Sequence, residues 1–224
     1  MQGLDAKLRA GLAALGLPLS DAQVNRLLEY QALIGKWNKV YNLTAVRDPA
    51  EMLTHHLLDS LAVISPLRRQ LAQMPQGAEG QSPRLLDVGS GAGLPGVVIA
   101  ICCPEIQVDC VDTVGKKAAF IQQAAVSLKL PNLRGVHARV ENLTNQYHVV
   151  SSRAFASLAD FTNWSARALA TQGVWMAMKG KHPDDELAAL SSGVKVFHVE
   201  RLSVPGLDAE RCLIWMKAVV PGAD

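Results

Sequence analysis

The chain has 224 residues, of which 49% are hydrophobic and 19% are charged. This is the composition of an ordinary globular protein, and it excludes a disordered, collagen-like or coiled-coil chain. The 22 Lys and Arg residues and 20 Asp and Glu residues leave a net charge of only +2, and residues 1–66 contain six positive and six negative side chains. The chain therefore lacks the strong basic excess that marks many nucleic-acid-binding proteins.

The first 66 residues contain recognisable helix starts. One face of the first predicted helix carries leucines at positions 4, 8, 12 and 15. Ser20 and Gln23 form a predicted capping box, in which each side chain pairs with the backbone N–H of the other residue. Asp48-Pro49 begins another helix, with an acidic cap and a proline in the first turn. An apolar stripe at helical spacing predicts core packing rather than base stacking, and it comprises Leu27, Tyr30, Ile34, Trp37 and Tyr41.

Several features argue against metals, disulfides and membranes. The four cysteines, at positions 102, 103, 110 and 212, form no Cys-x-x-Cys pair and are predicted to be packing residues. His56 and Asp59 lie three residues apart on a predicted helix, and two ligands are too few for a metal site. The longest strongly apolar run, Val97 to Cys103, is far shorter than the roughly 20 residues that cross a bilayer. We therefore expect a cytoplasmic protein that binds neither a metal nor a membrane.

From Arg84 onward, short apolar runs alternate with helical patterns, which predicts an α/β domain. The predicted strands are residues 85–88, 108–111, 133–137, 149–152, 174–178, 194–200 and 212–218, and the clearest helices are 116–128 and 158–169. The loop around Pro205-Gly206 is too short for a crossover helix, so the last two strands should pair antiparallel. The predicted organisation is a helical extension (1–66), a connector (67–83) and the sheet domain (84–224).

The segment Leu85 to Gly96 is an apolar strand followed by four glycines and a predicted helix. Its part Gly91-Ala92-Gly93-Leu94-Pro95-Gly96 matches G-x-G-x-x-G, which holds a dinucleotide pyrophosphate at a helix N-terminus. The overlapping run Asp87-x-Gly89-x-Gly91-x-Gly93 is the pattern of S-adenosylmethionine binding. A carboxylate at Asp87 suits an ammonium group and repels a pyrophosphate. The pattern alone leaves three interpretations open, namely these two cofactors and a glycine turn that binds nothing.

Two further positions support a cofactor site. Asp112 ends the second predicted strand, 19 residues after Gly93, where a carboxylate can accept both hydroxyl groups of a ribose. Val140-Glu141 follows the third strand, where an adenine could be sandwiched. Both candidate cofactors contain a ribose, so Asp112 does not distinguish between them.

Four motifs resemble one known family. They are Trp37-Asn38-Lys39-x-Tyr41-Asn42-Leu43-Thr44, His56-x-Leu58-Asp59-Ser60, Asp87-Val88-Gly89-Ser90-Gly91-x-Gly93-x-Pro95-Gly96 and Ser152-Arg153-Ala154-Phe155-Ala156. In this order they look like the glucose-inhibited division protein B family, whose members are the small-subunit ribosomal RNA methyltransferases G. The resemblance extends from about Leu15 to Lys217.

The resemblance implies an S-adenosylmethionine-dependent enzyme that methylates N7 of one guanine in 16S ribosomal RNA of the small ribosomal subunit. It implies a class I, Rossmann-like methyltransferase fold with a seven-stranded, mostly parallel sheet, an antiparallel last strand and a helical N-terminal extension. Carried over by position, the cofactor contacts are Gly89, Leu94, Val140, Glu141 and Arg153. Asp87, Gly91 and Asp112 complete the predicted site. The family usually has an aromatic-Asp pair before the fourth strand, where this chain has Tyr147-His148.

The expected chemistry needs no catalytic base, because guanine N7 has an exposed lone pair and no proton to lose, so we name no catalytic residue. RNA binding is assigned to cations near the cofactor edge, namely Lys116, Lys117, Arg139, Arg153, Lys179 and Lys181. Two alternatives stay open at this point. One is a nicotinamide-dependent oxidoreductase, and the other is a non-catalytic RNA-binding module of ribosome assembly.

Overall fold

The computed structural model describes residues 2–74 and 82–219. In these ranges the strands are β1 (Arg84–Val88), β2 (Gln107–Asp112), β3 (Leu133–His137), β4 (Tyr147–Arg153), β5 (Leu169–Lys179), β6 (Val194–Arg201) and β7 (Cys212–Ala218). The α-helices are α1 (Gln2–Ala14), α2 (Asp21–Tyr41), α3 (Pro49–Met52), α4 (Asp59–Leu61), α5 (Ile64–Gln73), α6 (Gly96–Cys102), α7 (Gly115–Ser127), α8 (Leu158–Ser165) and α9 (Asp184–Ala188). A π-helical segment, Leu53–Leu58, joins α3 to α4, and 3₁₀ turns occupy Val140–Asn142 and Ala166–Ala168.

The seven strands form one sheet in the order β3-β2-β1-β4-β5-β7-β6. β1 pairs in parallel with β2 and β4, whereas β7 pairs antiparallel with β5 and β6. This confirms the predicted mostly parallel sheet with an antiparallel last strand. The strand order reverses direction between β1 and β4, and ligands of open α/β sheets bind at the carboxyl ends of the strands at such a point.

Alternate side chains of the central strands enter two different cores, as the pleat of a strand requires. Leu85 of β1 and Val149 of β4 belong to the core beneath α2, α6 and α7. Leu86 and Val150, one residue further along, belong to the core beneath α8. Because both faces are covered, the strands are continuous apolar runs, which explains why they were recognisable in the sequence.

The N-terminal helices pack onto the first of these cores. Their fully buried side chains include Leu8, Leu27, Ile34, Leu57, Leu61 and Leu67. The predicted capping box is present, since the Ser20 side chain accepts from the Gln23 N–H and the Gln23 side chain accepts from the Ser20 N–H. Asp48 caps α3 by accepting from Ala50 N and Glu51 N, both at 2.9 Å.

α2 runs antiparallel to α6, and two hydrogen bonds fix this arrangement. Near the start of α2, Gln23 Nε2 donates to the carbonyl oxygen of Ile101 at the end of α6 (3.0 Å). Further along, the Tyr30 hydroxyl donates to the carbonyl oxygen of Ala92, just before α6 begins (2.6 Å). The C-terminal part of α2 therefore extends past the carboxyl edge of the sheet.

The structure corrects two expectations about the predicted helices. The apolar stripe of α2 is buried at Leu27, Tyr30 and Ile34, but Tyr41 is 36% exposed, because α2 extends beyond the sheet that would have covered it. The helix predicted over 158–169 ends at Ser165, and Leu169 begins β5 by pairing with Tyr147.

The connector expected over 67–83 does not start after Pro66, because α5 continues to Gln73. Pro66 is the third residue of α5, and the first N–H groups of a helix have no intrahelical partner, so proline is tolerated there. Residues 75–81 of that connector lie outside the described residues, as do residues 220–224.

Candidate functional site: two cavities at the glycine loop

The glycine loop, residues 89–95, joins β1 to α6 at the carboxyl edge of the sheet. Gly89 donates its backbone N–H to the Val111 carbonyl oxygen of β2 at 2.9 Å, which holds the loop against the sheet. Gly89 has a φ of +64°, a backbone conformation that L side chains rarely adopt. A Cβ atom at Gly96 would collide with the Cys110 Sγ atom. The start of α6 therefore lies closer to β2 than a residue with a side chain at position 96 would allow. The glycines are therefore required by backbone conformation and by packing.

Asp87 lies beneath this loop and lines neither of the two cavities described below, so its contact with an ammonium group stays a prediction. Its side chain is fully buried. One carboxylate oxygen accepts from the Gly96 N–H at 3.0 Å, and the other accepts from the Ser151 hydroxyl at 2.9 Å. Asp87 therefore acts on the loop, by fixing the start of α6 to β1 and β4.

Burial raises the pKa of Asp87 from its ordinary value of 3.8 to about 6, although the hydrogen bonds from Gly96 and Ser151 oppose this shift. The folded protein thus binds this proton more tightly than the unfolded chain does. The resulting stability is complete below about pH 3.8 and is lost as the pH rises through about 6.

We predict that Asp87→Asn removes this pH dependence. The asparagine keeps one acceptor for Gly96 N–H and a donor for Ser151 but does not titrate. Urea unfolding of both proteins between pH 4 and 7 should show the free energy of unfolding of the wild type falling by about 2–2.5 kcal/mol relative to the variant. A constant difference across this range would contradict the assignment.

Asp112, at the end of β2, is the second carboxylate of the loop region. Its Oδ2 atom accepts from Gly91 N at 3.0 Å, and its Oδ1 atom accepts from Val114 N at 2.8 Å. Lys117 Nζ is 3.8 Å from Oδ2. The Asp112 side chain also lines a cavity at the same edge of the sheet. It therefore both anchors the glycine loop and is placed to contact a ligand in that cavity.

A first cavity of about 490 Å³ opens between the glycine loop and the N-terminal helices. Its charged and polar lining residues are Thr44, His55, His56, Asp59, Ser90, Arg153, Lys179 and Arg211. Of the predicted cofactor contacts, Gly89, Gly91, Leu94 and Arg153 line it as well. Cations outnumber carboxylates here, so this cavity suits an anionic group.

Asp59 is the centre of the charge arrangement in the first cavity. Its side chain is nearly inaccessible, with 3% of the residue exposed. Arg153 Nη1 donates to Asp59 Oδ2 and Arg211 Nε donates to Asp59 Oδ1, both at 2.8 Å. Arg153 Nη1 also donates to the His55 carbonyl oxygen at 3.1 Å. One carboxylate from the N-terminal helices thus fixes two arginines from the sheet domain.

A second cavity, of about 460 Å³, lies on the other side of the loop. Its apolar walls are formed by Val88, Val111, Val114, Val140, Phe155 and Trp164. Asp112 and Glu141 provide carboxylates, and Glu141 accepts from Arg139 Nη2 at 3.0 Å. The pKa of Glu141 is lowered, first by a backbone hydrogen bond and then by Arg139. An apolar slot with carboxylates at its mouth suits a flat base attached to a sugar.

Gly89 and Ala154 line both cavities, which therefore meet at this point. The ring of Phe155 lies against Gly89, where a Cβ atom would collide with it. Phe155 in turn contacts Trp164 edge-to-face, with ring centroids 5.8 Å apart. Ala154 has a φ of +51°, which turns the chain sharply after β4.

The eight predicted site residues thus lie in or around the glycine loop. Seven of them line one or both cavities, and Asp87 alone lies below. The sequence interpretation missed Arg211 and Phe155 as cavity residues and considered Asp59 only as a metal ligand. Arg211 lies 58 residues beyond Arg153 in a loop without a local motif, so nothing in the sequence indicated that Asp59 joins them.

His148, where the family pattern differs, lies at the opposite edge of the sheet. Its Nδ1 atom accepts from the Arg84 N–H at the start of β1 (3.0 Å). The neighbouring Tyr147 hydroxyl donates to Asp109 at 2.6 Å. This departure therefore leaves both cavities unaffected.

Most of the cations predicted to bind RNA are neutralised by carboxylates. The pairs are Lys117 with Asp112, Arg139 with Glu141, Arg153 with Asp59 and Lys179 with Glu186. Of the six, Lys116 and Lys181 make no ion pair within residues 2–74 and 82–219. The cofactor edge is thus less available to phosphates than the sequence suggested.

Comparison with known proteins identifies the family. The family model described as rRNA small subunit methyltransferase G matches residues 23–214. The chain belongs to the rRNA small subunit methyltransferase G family. A protein named ribosomal RNA small subunit methyltransferase G from Polaromonas sp. is 68% identical over 226 residues, covering 100% of this chain and 99% of the relative. The protein of the same name from Acidovorax ebreus is 67% identical over 217 residues, covering 96% of each.

Solved structures show the same fold at low sequence identity. TrmN from Thermus thermophilus has a TM-score of 0.55 at 16% identity and covers 75% of this chain and 53% of that one. A SAM-dependent methyltransferase from Aquifex aeolicus has a TM-score of 0.53 at 13% identity, covering 77% and 99%. These findings confirm the class I methyltransferase fold. As a member of the rRNA small subunit methyltransferase G family, the chain is an S-adenosylmethionine-dependent enzyme, and neither the oxidoreductase nor the non-catalytic module is favoured.

Membrane-spanning helices and metal-binding clusters are absent from the described residues. Across residues 2–74 and 82–219, every helix is too short or too polar to cross a membrane. The same part of the chain contains no group of three or more His, Cys, Asp or Glu side chains placed to hold a metal ion.

Proposed function

We propose that this enzyme transfers the methyl group of S-adenosylmethionine to N7 of one specific guanine in 16S rRNA of the small ribosomal subunit. The observation that carries the proposal is the pair of cavities that meet at Gly89, on the carboxyl edge of the sheet. One cavity is rich in cations, and the other has apolar walls and carboxylates. The rRNA named in the relatives' descriptions supports the choice of substrate.

The residues present fit S-adenosylmethionine. In the second cavity Val140 and the neighbouring apolar walls suit adenine, and Asp112 and Glu141 can accept hydrogen bonds from ribose hydroxyls. In the first cavity Arg153 suits a carboxylate. Gly89 lets the cofactor pass between the cavities close to the backbone, while Gly91 and Leu94 line its path. Because the ring of Phe155 lies on Gly89, we propose that it turns aside when the cofactor binds.

The chain's own residues contribute mainly position and charge. When bound, S-adenosylmethionine supplies an electrophilic methyl group on a positively charged sulfur. Guanine N7 carries a lone pair and loses no proton, so proximity and orientation supply much of the rate. The buried cysteines are unsuited to a nucleophilic role, since burial raises the pKa of Cys103 to about 11. Asp87 is a positioning residue that holds the loop from below.

The small number of unpaired cations at the cofactor edge supports a folded substrate. We infer that the rRNA architecture of the assembled small subunit, in the cytoplasm, supplies part of the recognition. The test is transfer of labelled methyl groups to small subunits from cells that lack this protein, followed by mapping of the modified base. Incorporation at one guanine N7 is expected. No incorporation, or equal methylation of protein-free 16S rRNA, would contradict the corresponding part of the proposal.

A thermal-shift measurement tests the cofactor separately. S-adenosylhomocysteine at 100 times its Kd should stabilise the folded protein by about 2.7 kcal/mol, which raises the Tm by roughly 5–10 °C. NADH at the same concentration should leave the Tm unchanged. Stabilisation by NADH alone would instead favour a dinucleotide site.

A further inference from the structure

The C-terminal end of α2, residues 36–42, extends beyond the carboxyl edge of the sheet, and we call it the α2 overhang. Tyr30 marks the level of the glycine loop through its hydrogen bond to the Ala92 carbonyl oxygen. Tyr41 is eleven residues further along the helix, which corresponds to about 16 Å at the helical rise. The overhang therefore stands above the edge where the two cavities open.

The overhang carries two exposed large hydrophobic residues, Val40 and Tyr41. Val40 is 72% exposed and Tyr41 is 36% exposed. The Tyr41 ring lies beside that of Trp37, with centroids 5.1 Å apart, and Trp37 contacts Phe120 of α7 at 5.5 Å. Among the exposed large hydrophobic residues of the described chain, Val40 and Tyr41 are the only two that are neighbours in sequence. Tyr41 is thus a partly exposed aromatic residue whose ring packs beside Trp37.

The segment that carries this surface contains only positive charges. Residues 35–47 contain Lys36, Lys39 and Arg47 and no Asp or Glu. Within the described parts of the chain, none of these three cations makes an ion pair. This contrasts with the cations at the cofactor edge, most of which are neutralised.

Hydrogen bonds hold the overhang rigidly to the first cavity. Asn38, which is buried, accepts from Thr44 N at 2.9 Å. Asn42 ends α2 in the left-handed conformation and donates its N–H to the Asn38 carbonyl oxygen. The Thr44 hydroxyl is 2.7 Å from His56 Nε2, and both side chains line the cavity. These bonds link the end of α2, which carries Tyr41, to the lining of the first cavity.

We propose that the α2 overhang is a docking surface for RNA, in which Tyr41 stacks on an unpaired base next to the methylated guanine. Lys36 and Lys39 contact the adjoining phosphates, and Val40 covers the edge of the stacked base. Aromatic side chains flanked by cations recognise single-stranded RNA, whose unstacked bases present flat faces. The proposal rests on the proposed function, because it presumes an rRNA substrate.

The test compares Tyr41→Ala with Tyr41→Phe in methylation of small subunits lacking the modification. Loss of a stacked base should lower kcat/KM of Tyr41→Ala by roughly 5- to 150-fold, mainly through KM, whereas Tyr41→Phe keeps the ring and stays near the wild type. Lys39→Gln should weaken RNA binding for all sequences and reduce the salt slope by about one. S-adenosylhomocysteine affinity should stay unchanged, because Tyr41 lines neither of the two cavities.

The remaining outcomes distinguish failure of the docking surface from failure of the proposed function. If the wild type methylates subunits and Tyr41→Ala does so equally well, the docking surface is wrong and the proposed function stands. Equal losses in the Ala and Phe variants also overturn stacking. A loss on assembled subunits but not on protein-free 16S rRNA assigns the overhang to a ribosomal protein, which overturns the proposal as well. An inactive wild type on every rRNA substrate contradicts the proposed function itself.

Discussion

Asp59→Ala is expected to lower the stability of the protein by about 3–5 kcal/mol and its Tm by roughly 6–20 °C. In the wild type, the Asp59 carboxylate lies 2.8 Å from Arg153 Nη1 and 2.8 Å from Arg211 Nε. The substitution leaves both arginines partly buried without this shared carboxylate. Removing one partner of a buried ion pair is costly because the remaining charge has lost its water as well as its partner. Thermal unfolding followed by circular dichroism measures the change.

The same variant should lose methyl-transfer activity on the order of 100-fold, because Arg153 lines the first cavity and is no longer held in place. Asp59→Asn keeps a hydrogen-bond acceptor, so its activity should lie between those of the wild type and of Asp59→Ala. The matched control is Asp5→Ala, which breaks an exposed ion pair with Arg9 on α1 and should change stability by less than about 0.5 kcal/mol. If Asp59→Ala behaved like this control, the central role of Asp59 would be wrong.

Gly89→Ala should weaken binding of S-adenosylhomocysteine by roughly 10- to 100-fold. The new Cβ atom would point at the ring of Phe155, in the passage between the two cavities. The positive φ of Gly89 adds a folding cost of about 1 kcal/mol for any L side chain. Isothermal titration calorimetry measures the affinity, and urea unfolding measures the stability.

Gly16→Ala separates these two effects. Gly16 has nearly the same φ, +63°, but a Cβ atom there meets nothing within 4 Å. It should cost a similar amount of stability, about 1 kcal/mol, and leave cofactor affinity unchanged. Equal affinities in the two variants would contradict a passage for the cofactor over Gly89.

Local features of the sequence were predictable because short-range physics determines them. The capping box of Ser20 and Gln23 depends on residues three apart and is present as expected. The buried strands were visible as apolar runs, and the short loop at Pro205-Gly206 predicted the antiparallel pairing of β6 with β7. Glycines after β1 indicated a loop that a ligand can approach closely. These signals indicated the fold and the glycine loop, whereas the resemblance to the family supplied five of the seven predicted residues that line the cavities, Gly89, Leu94, Val140, Glu141 and Arg153.

Features that depend on contacts between distant segments were not predictable in this way. The sequence pattern predicts that the Asp87 carboxylate contacts a ligand, but the packing of α6 against β2 places this carboxylate under the loop. The helix from Leu158 stops at Ser165, where the pairing of Leu169 with Tyr147 begins the next strand. In both cases a neighbour remote in sequence determined the outcome.

The sequence by itself determined the alternation of strands and helices, the glycine loop and the family resemblance, because each is encoded in residues close along the chain. Only the tertiary structure decided that Asp59 joins Arg153 to Arg211, 94 and 152 residues away, and that Tyr41 leaves the core while Tyr30 enters it. Periodicity records which face of a helix is apolar. It does not record where the surface that covers this face ends, and that limit is set by the edge of the folded sheet.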